Sequence, residues 1–209
     1  MANNSSQSDN QPTPQERDWL DSVLLREFVE GKTILVGITG GVAAYKSCTI
    51  VSRLAQAGAD VHVAMTLAAT EFITPMTFEA LSGNPVYDSI FDQVESSSPG
   101  HISLADRCDL ALIAPCTMNT LANLVHGNSS DAVSLIISAI DRTKVPVLFA
   151  PSMNDAMWNQ PSTKRNIEQA IADGLIQIGP GSGWQACRHS GTGRMSEPGD
   201  ICQAICEAM

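Results

Sequence analysis

The chain has 209 residues, 44% of them hydrophobic and only 5% aromatic, with a formal net charge of −10. That length suits one well-buried domain, and so few aromatics predict a core of Ala, Val, Ile, Leu and Met, as where helices pack on a sheet. The acidic balance, with no run of Lys or Arg, argues against a nucleic-acid groove, and no apolar run approaches membrane-spanning length.

The polar start MANNSSQSDNQPTPQ does not read as a signal peptide, and residues 1–12 read as a disordered tail. A helix is predicted over 13–31. Thr13 is its N-cap, Pro14 its first residue and Glu16 closes a capping box, with Trp19, Leu20, Val23, Leu24 and Phe28 at helical spacing. From Lys32 the pattern changes to a single domain over 32–209. Apolar runs at 33–38, 59–65, 109–115, 145–151 and 175–180 read as strands, and SGNPVYDSI (82–90) is an edge-strand candidate. Helical stretches follow or separate them at 42–58, 119–127, 131–140 and 165–174. Strands apolar throughout, separated by helices, indicate an α/β fold: a Rossmann-like doubly wound parallel sheet in three α/β/α layers.

In such folds ligands bind beyond the carboxyl ends of the strands. The segments there read TGGVAAYK, TLAATEF, PCTMNT, PSMNDAMW and PGSGWQACRHSGTGRM. GITGGVAAYKS (37–47) has neither P-loop nor G-x-G-x-x-G spacing. Gly40 and Gly41 either let backbone N–H groups reach an anion at a helix start or only make a tight turn. Thr117, Asn119 and Thr120 supply more polar groups than an N-cap needs. Asn154 is either an N-cap or a two-hydrogen donor to a carboxylate, with Met153, Met157 and Trp158 as an apolar wall. His101, after a Pro-Gly pair, could be acid, base or cationic anchor, whereas His62 and His126 look structural.

Six cysteines, at 48, 108, 116, 187, 202 and 206, show no C-x-x-C spacing and no zinc-type cluster. This predicts a cytoplasmic protein with reduced thiols, mostly buried, and no metal site. Cys187 stands apart in the glycine-rich GSGWQACRHSGTGRM (181–195). Such a segment is a poor helix or strand former, so it reads as a slack tail or a loop wrapped around something. Its thiol is either inert or a proton donor, since a free thiol with an ordinary pKa of about 8.5 is protonated at neutral pH.

Taken in order, GITGGVAAYK, TPMTFEALSGNPV, GHISLA, APCTMNTLA, PSMNDAMW and ACRHSGTGRMSEP resemble the homo-oligomeric flavin-containing cysteine decarboxylases, from about Lys32 to the C-terminus. The resemblance implies bound FMN, contacted by Gly40, Gly41, Val42, Thr66, Ala68, Thr117, Met118, Asn119, Thr120 and Ser152. It implies His101 and Cys187 as catalytic residues, and Asn154, Met157, Ala186 and Met195 as substrate-binding residues, with 180–198 as a substrate-covering loop. It further implies a homo-oligomer, a trimer or assembly of trimers, with the flavin near a subunit boundary.

Within the family, the branch of coenzyme A synthesis is the nearest match. It decarboxylates 4′-phosphopantothenoyl-L-cysteine to 4′-phosphopantetheine through a thioaldehyde and an enethiolate that Cys187 would protonate. The alternatives are oxidative decarboxylation of a C-terminal peptidyl-cysteine and a flavin-binding regulatory homologue without catalysis. Retention of Cys187 favours the first reading over the peptide reaction, and His101, Asn154 and Cys187 together argue against the regulatory one. The family's ACGDxGxGRM is ACRHSGTGRM here, so Arg188 and His189 replace Gly and Asp. Arg188 would lower the thiol pKa, contact the substrate phosphate or point into solvent. The family's common PAMN is PSMN. Some bacterial members carry a fused synthetase domain, and with the chain ending at Met209 that activity is expected on another protein.

Overall fold

The computed structural model describes residues 23–90, 94–95 and 98–209. The tail expected over 1–12, and the start of the helix expected over 13–31, lie outside the described residues. What is described of that helix, α1, spans 23–29. It packs on the domain through Leu25 and Val29, while Val23, Leu24 and Phe28 of the anticipated stripe are exposed.

The elements then run β1 (Thr33–Ile38), α2 (Ala44–Gln56), β2 (Asp60–Met65), α3 (Leu67–Thr70), α4 (Pro75–Ser82) and β3 (Val86–Tyr87). A two-residue ribbon, β4 (Val94–Glu95) with β5 (Ser98–Pro99), precedes α5 (Gly100–Arg107). Next come β6 (Leu110–Cys116), α6 (Met118–His126), α7 (Ala132–Ala139), β7 (Val147–Pro151), α8 (Asp155–Trp158), α9 (Pro161–Ala172) and β8 (Ile176–Gln177). The chain closes with β9 (Gly181–Trp184), β10 (Ser190–Arg194) and α10 (Pro198–Ala208).

Six strands form one sheet in the order β3-β2-β1-β6-β7-β8, and every pairing in it is parallel. The expected strands are all present, including the edge strand in 82–90. The alternation of side chains along each strand divides the core in two. Ile34, Val36, Ile38, Leu110, Leu112 and Leu148 face a layer that includes α1, α2 and α10. Leu35, Ala111, Ile113, Val147 and Phe149 face α5, α6, α7 and α9. Each fully buried Ile, Leu or Phe is worth about 1.5–3 kcal/mol. Apolar residues at every position of the strands are thus explained by burial on both faces.

Three helices were not anticipated as elements: the one-turn α3, and α4 and α10. Helix α4 has Pro75 in its first turn and Gly83 in the left-handed conformation after its end, at φ 77. Helix α10 has Pro198 in its first turn. Proline at a helix start and glycine past its end are a local signal, so both were legible. Helix α9 begins at Pro161 rather than 165, because the Thr163 hydroxyl donates to the Met157 carbonyl at 2.6 Å and is satisfied inside the helix start.

The glycine-rich segment 181–195 is neither slack tail nor irregular loop. It is an antiparallel hairpin in which Trp184 faces Ser190 and Ser182 faces Thr192. The Ser182 and Thr192 hydroxyls pair across it at 2.9 Å.

Candidate active site

Strands β1 and β6 are neighbours, but their following helices leave to opposite faces of the sheet. Diverging loops open a crevice at that switch point. The cavity there is about 900 Å³, within the size of clefts that hold a cofactor or small substrate. Around it converge Gly40, Gly41 and Val42 after β1, Thr66 and Ala68 after β2, and Thr117, Met118, Asn119 and Thr120 after β6. Ser152, Asn154 and Met157 after β7, and Ala186, Cys187 and Met195 of the hairpin, complete the expected set. His101 is the exception: it is half-buried in the first turn of α5 and is not among the cavity-lining residues.

The floor is stitched by Thr39, which is fully buried. Its hydroxyl donates to the Pro115 carbonyl at 2.7 Å and accepts from the Thr117 amide at 3.1 Å, tying the loop after β1 to the loop after β6. Gly40 is needed for packing: a Cβ there would lie 2.5 Å from the Ala68 Cβ. A Cβ on Gly41 would meet only the Thr117 methyl, at 3.7 Å, so this glycine faces open space. Thr117 caps α6, its hydroxyl accepting from the Thr120 amide at 3.3 Å. The hydroxyl of Thr66, on the cavity wall, is buried without a hydrogen-bond partner. A buried polar group left unpaired costs about 1–3 kcal/mol, so it marks a place where a ligand's polar atom would be satisfied.

Asn154 is an N-cap, and capping leaves its other expected part open. Its Oδ1 accepts from the Met157 amide at 2.8 Å, capping α8, and an amide used this way still has its Nδ2 hydrogens to donate.

The hairpin is bonded to the start of α8. The Gly193 carbonyl accepts from the Met153 amide at 2.9 Å, and Asp155 Oδ1 accepts from the Thr192 amide at 3.0 Å. Gln185, only 7% exposed, accepts from the Asp155 amide at 3.1 Å and donates to the Thr192 carbonyl at 3.1 Å. Such closeness explains the glycines: a Cβ on Gly191 would sit 2.6 Å from the Asp155 Cβ, and one on Gly193 would run into the Met153 carbonyl oxygen. The hairpin turn closes through the Arg188 amide to the Gln185 carbonyl and the Gln185 amide to the His189 carbonyl, both at 2.9 Å. Arg188 holds φ 65, the left-handed region that glycine enters freely and that costs other residues about 1–2 kcal/mol. A glycine in the corresponding position of the resembling pattern thus has a backbone reason.

At the base of the hairpin, Lys46 from α2 is buried and donates to the Met195 carbonyl at 3.2 Å and to Glu197 at 2.8 Å. Arg194 also reaches Glu197, at 2.9 Å. The hydrogen bond from Lys46, aided by the charges of Lys46 and Arg194, holds the Glu197 carboxyl below its ordinary value of 4.5. Its carboxylate therefore adds stability above pH 4.5 that is lost as pH falls through the lower folded value. Glu197→Gln is expected to cost roughly 1 kcal/mol at most at pH 7, because solvent screens the half-exposed carboxylate. Thermal melts should show a Tm lower by about 2 °C at pH 7 and a smaller further drop than wild type on acidification.

The six cysteines are unbridged thiols, and Cys187 alone is exposed. Burial pushes Cys116 up to about 12 and also raises Cys48, Cys108 and Cys206. Lys46, Tyr45, Asp131, Trp184, Gln185 and Arg194 also line the cavity without having been anticipated. Lys46 and Gln185 carry no local signal, because their partners lie on distant elements.

No described helix is long and apolar enough to cross a membrane. A family model described as Flavoprotein matches residues 25–209. The coenzyme A biosynthesis bifunctional protein CoaBC of Vibrio cholerae is 45% identical over 181 residues, 87% of this chain and 44% of that protein. The chain thus spans less than half the length of the curated relatives it matches. Among solved structures, a mutant PPC decarboxylase complexed with pantothenoylaminoethenethiol superposes with a TM-score of 0.76 at 28% identity, covering 84% of this chain and 97% of that one. The FMN-dependent cysteine decarboxylase SpaF does so with a TM-score of 0.71 at 25% identity, covering 85% and 97%. Sheet order, cavity position and a family match across nearly all the described residues agree, and the chain belongs to the flavoprotein family.

Proposed function

We propose that this protein is an FMN-dependent decarboxylase of coenzyme A synthesis that converts 4′-phosphopantothenoyl-L-cysteine to 4′-phosphopantetheine in the cytoplasm. The observation that carries this reading is the convergence, on one cavity, of every candidate residue except His101. The names of the relatives at about 45% identity and of the PPC decarboxylase structure support the choice of substrate.

The cavity suits a flavin nucleotide. Thr66 offers an unpartnered hydroxyl, and Thr117, Asn119, Thr120 and Ser152 line the same wall. When bound, the flavin would supply a two-electron acceptor, so that the cysteine CH2–SH can pass to a C=S group β to the carboxylate that is lost, and would return the two electrons to give the saturated thiol with no net redox change. The chain's own residues do the rest. Nδ2 of Asn154 donates to the substrate carboxylate, Met157 gives an apolar wall, and the hairpin excludes water. Cys187 delivers a proton to the enethiolate carbon left after CO2 departs.

His101 is proposed to assist the proton and hydride step; it does not line its own chain's cavity, and another copy is proposed to supply it. A homo-oligomer, a trimer or assembly of trimers, is supported by the exposed apolar residues Val42, Tyr45 and Leu67 on the cavity rim. The patch continues in sequence to Phe72 and Met76.

The test is to purify the protein, record flavin absorbance, incubate with phosphopantothenoylcysteine and weigh the product. A yellow protein whose product has lost CO2 alone is expected. A colourless protein unable to bind FMN overturns the proposal, and a wild-type product that also lacks two hydrogens moves it to the oxidative peptidyl-cysteine reaction. In Cys187→Ser the saturated product should fall about 100-fold or more, the scale of a lost proton donor, while the product two hydrogens lighter accumulates. Normal 4′-phosphopantetheine at full rate would remove Cys187 from the mechanism.

A further inference from the structure

Each decarboxylation of this kind consumes one proton, because a C–COO⁻ bond is replaced by a C–H bond and CO2 leaves without one. If Cys187 delivers that proton, its S–H bond breaks, the electron pair stays on sulfur, and the thiolate must be reprotonated before the next turnover. The side chains around the thiol supply a route. Cys187 Sγ donates to Gln185 Oε1 at 3.4 Å and lies 3.8 Å from Nε2 of His189. Gln185 is an acceptor through that oxygen, and it is held by its own bonds to Asp155 and Thr192. With the thiol hydrogen turned toward Gln185, a sulfur lone pair is left for Nε2. Cys187 and His189 are both exposed, and with substrate over the thiol the ring is its remaining link to solvent.

We propose that His189, which stands where the resembling pattern has an aspartate, is a positioning residue that reprotonates Cys187. The imidazolium carries a proton on both ring nitrogens. Its Nε2–H bond breaks as the S–H bond forms, and the neutral ring then regains a proton from water. No oxidant or reductant is involved, and the solvent proton consumed in each turnover enters by this path. The other charged groups on the elements packed here are Arg194 on β10 and Asp155 on α8. Asp155 is engaged by the Thr192 amide at 3.0 Å and Arg194 by Glu197 at 2.9 Å, whereas the His189 ring lies directly beside the thiol.

This inference rests on the decarboxylase reading, so its test has two arms. The first compares the products of wild type and His189→Asn on phosphopantothenoylcysteine. A thiolate that is slow to recover its proton lets the oxidised product escape. The ratio of product two hydrogens lighter to 4′-phosphopantetheine is therefore expected to rise roughly tenfold or more, since a placed proton-transfer group contributes about 10²–10⁴-fold. Added imidazole should return the ratio toward wild type. An unchanged ratio in a wild type that does make 4′-phosphopantetheine overturns the relay. A wild type that releases no CO2 sinks the parent reading instead.

The second arm needs neither flavin nor substrate. The rate at which iodoacetamide alkylates Cys187, followed by peptide mass, should rise in two pH steps in wild type and in one in His189→Asn. The charge of the imidazole alters the neighbouring thiolate in the former only. Superimposable profiles would overturn the Cys187–His189 pair whatever the reaction proves to be.

Discussion

Gly193→Ala is expected to detach the hairpin from the start of α8 and reduce decarboxylation about 100-fold while leaving the core folded. Two penalties coincide at this residue. Its φ of 128 lies outside what L side chains readily adopt, and the added methyl would run into the Met153 carbonyl oxygen. The same Met153 is bonded to Gly193 through its amide, at 2.9 Å, so relief of the clash breaks that bond. A positive-φ penalty of about 1–2 kcal/mol and an overpacking cost of about 1–3 kcal/mol together give roughly 3 kcal/mol against the seated hairpin, about 100-fold in the ratio of seated to unseated forms. The sheet and its two hydrophobic layers do not depend on this contact, so the main thermal transition should barely move. Limited proteolysis in 181–195, with turnover, reads the effect. A variant that resists protease as wild type does and turns over normally would show that the hairpin does not need this seating.

Asn154→Asp is expected to abolish most activity without loss of stability, whereas Asn154→Ala should lose both. The asparagine caps α8 through Oδ1, and aspartate caps as well. What aspartate cannot do is donate from the other atom, and in the proposed reaction it would face a substrate carboxylate with like charge. Removing one placed donor costs about 10²–10³-fold in turnover. Alanine loses the cap too, at about 1 kcal/mol. Melting curves and turnover of the two variants separate the roles. If Asn154→Asp retains activity within a few-fold, the amide is a cap and nothing more.

The two substitutions act on opposite sides of one junction. The PSMND segment after β7 and the GTGRM strand of the hairpin are 37 residues apart at the Asp155–Thr192 bond. Motif order implies both as site segments by resemblance, but their mutual hydrogen bonds belong to the folded chain. The same holds for Lys46, whose partners Met195 and Glu197 lie 149 and 151 residues away.

By itself the sequence determined the layered architecture. Uninterrupted apolar strands such as TILVGI can be satisfied only with both faces covered, and the strand–helix alternation forces parallel pairing, so local periodicity was sufficient for β1, β2, β6 and β7. Helix α4 went unanticipated, although Pro75 and Gly83 mark its bounds. Only the tertiary structure decided how the glycine-rich end is used. Its composition reads as loop, because glycine's entropy cost opposes a strand, and the gain that offsets it comes from bonds to Asp155 and Met153 that no local window contains. The tertiary structure also decided that Asn154 is a cap with a donor to spare, that Gly40 serves packing while Gly41 faces the cavity, and that His101 stays off its own chain's cavity. For the hairpin and for Gly40 the deciding energy lies in contacts between residues far apart in sequence. A short window of residue types cannot encode those contacts.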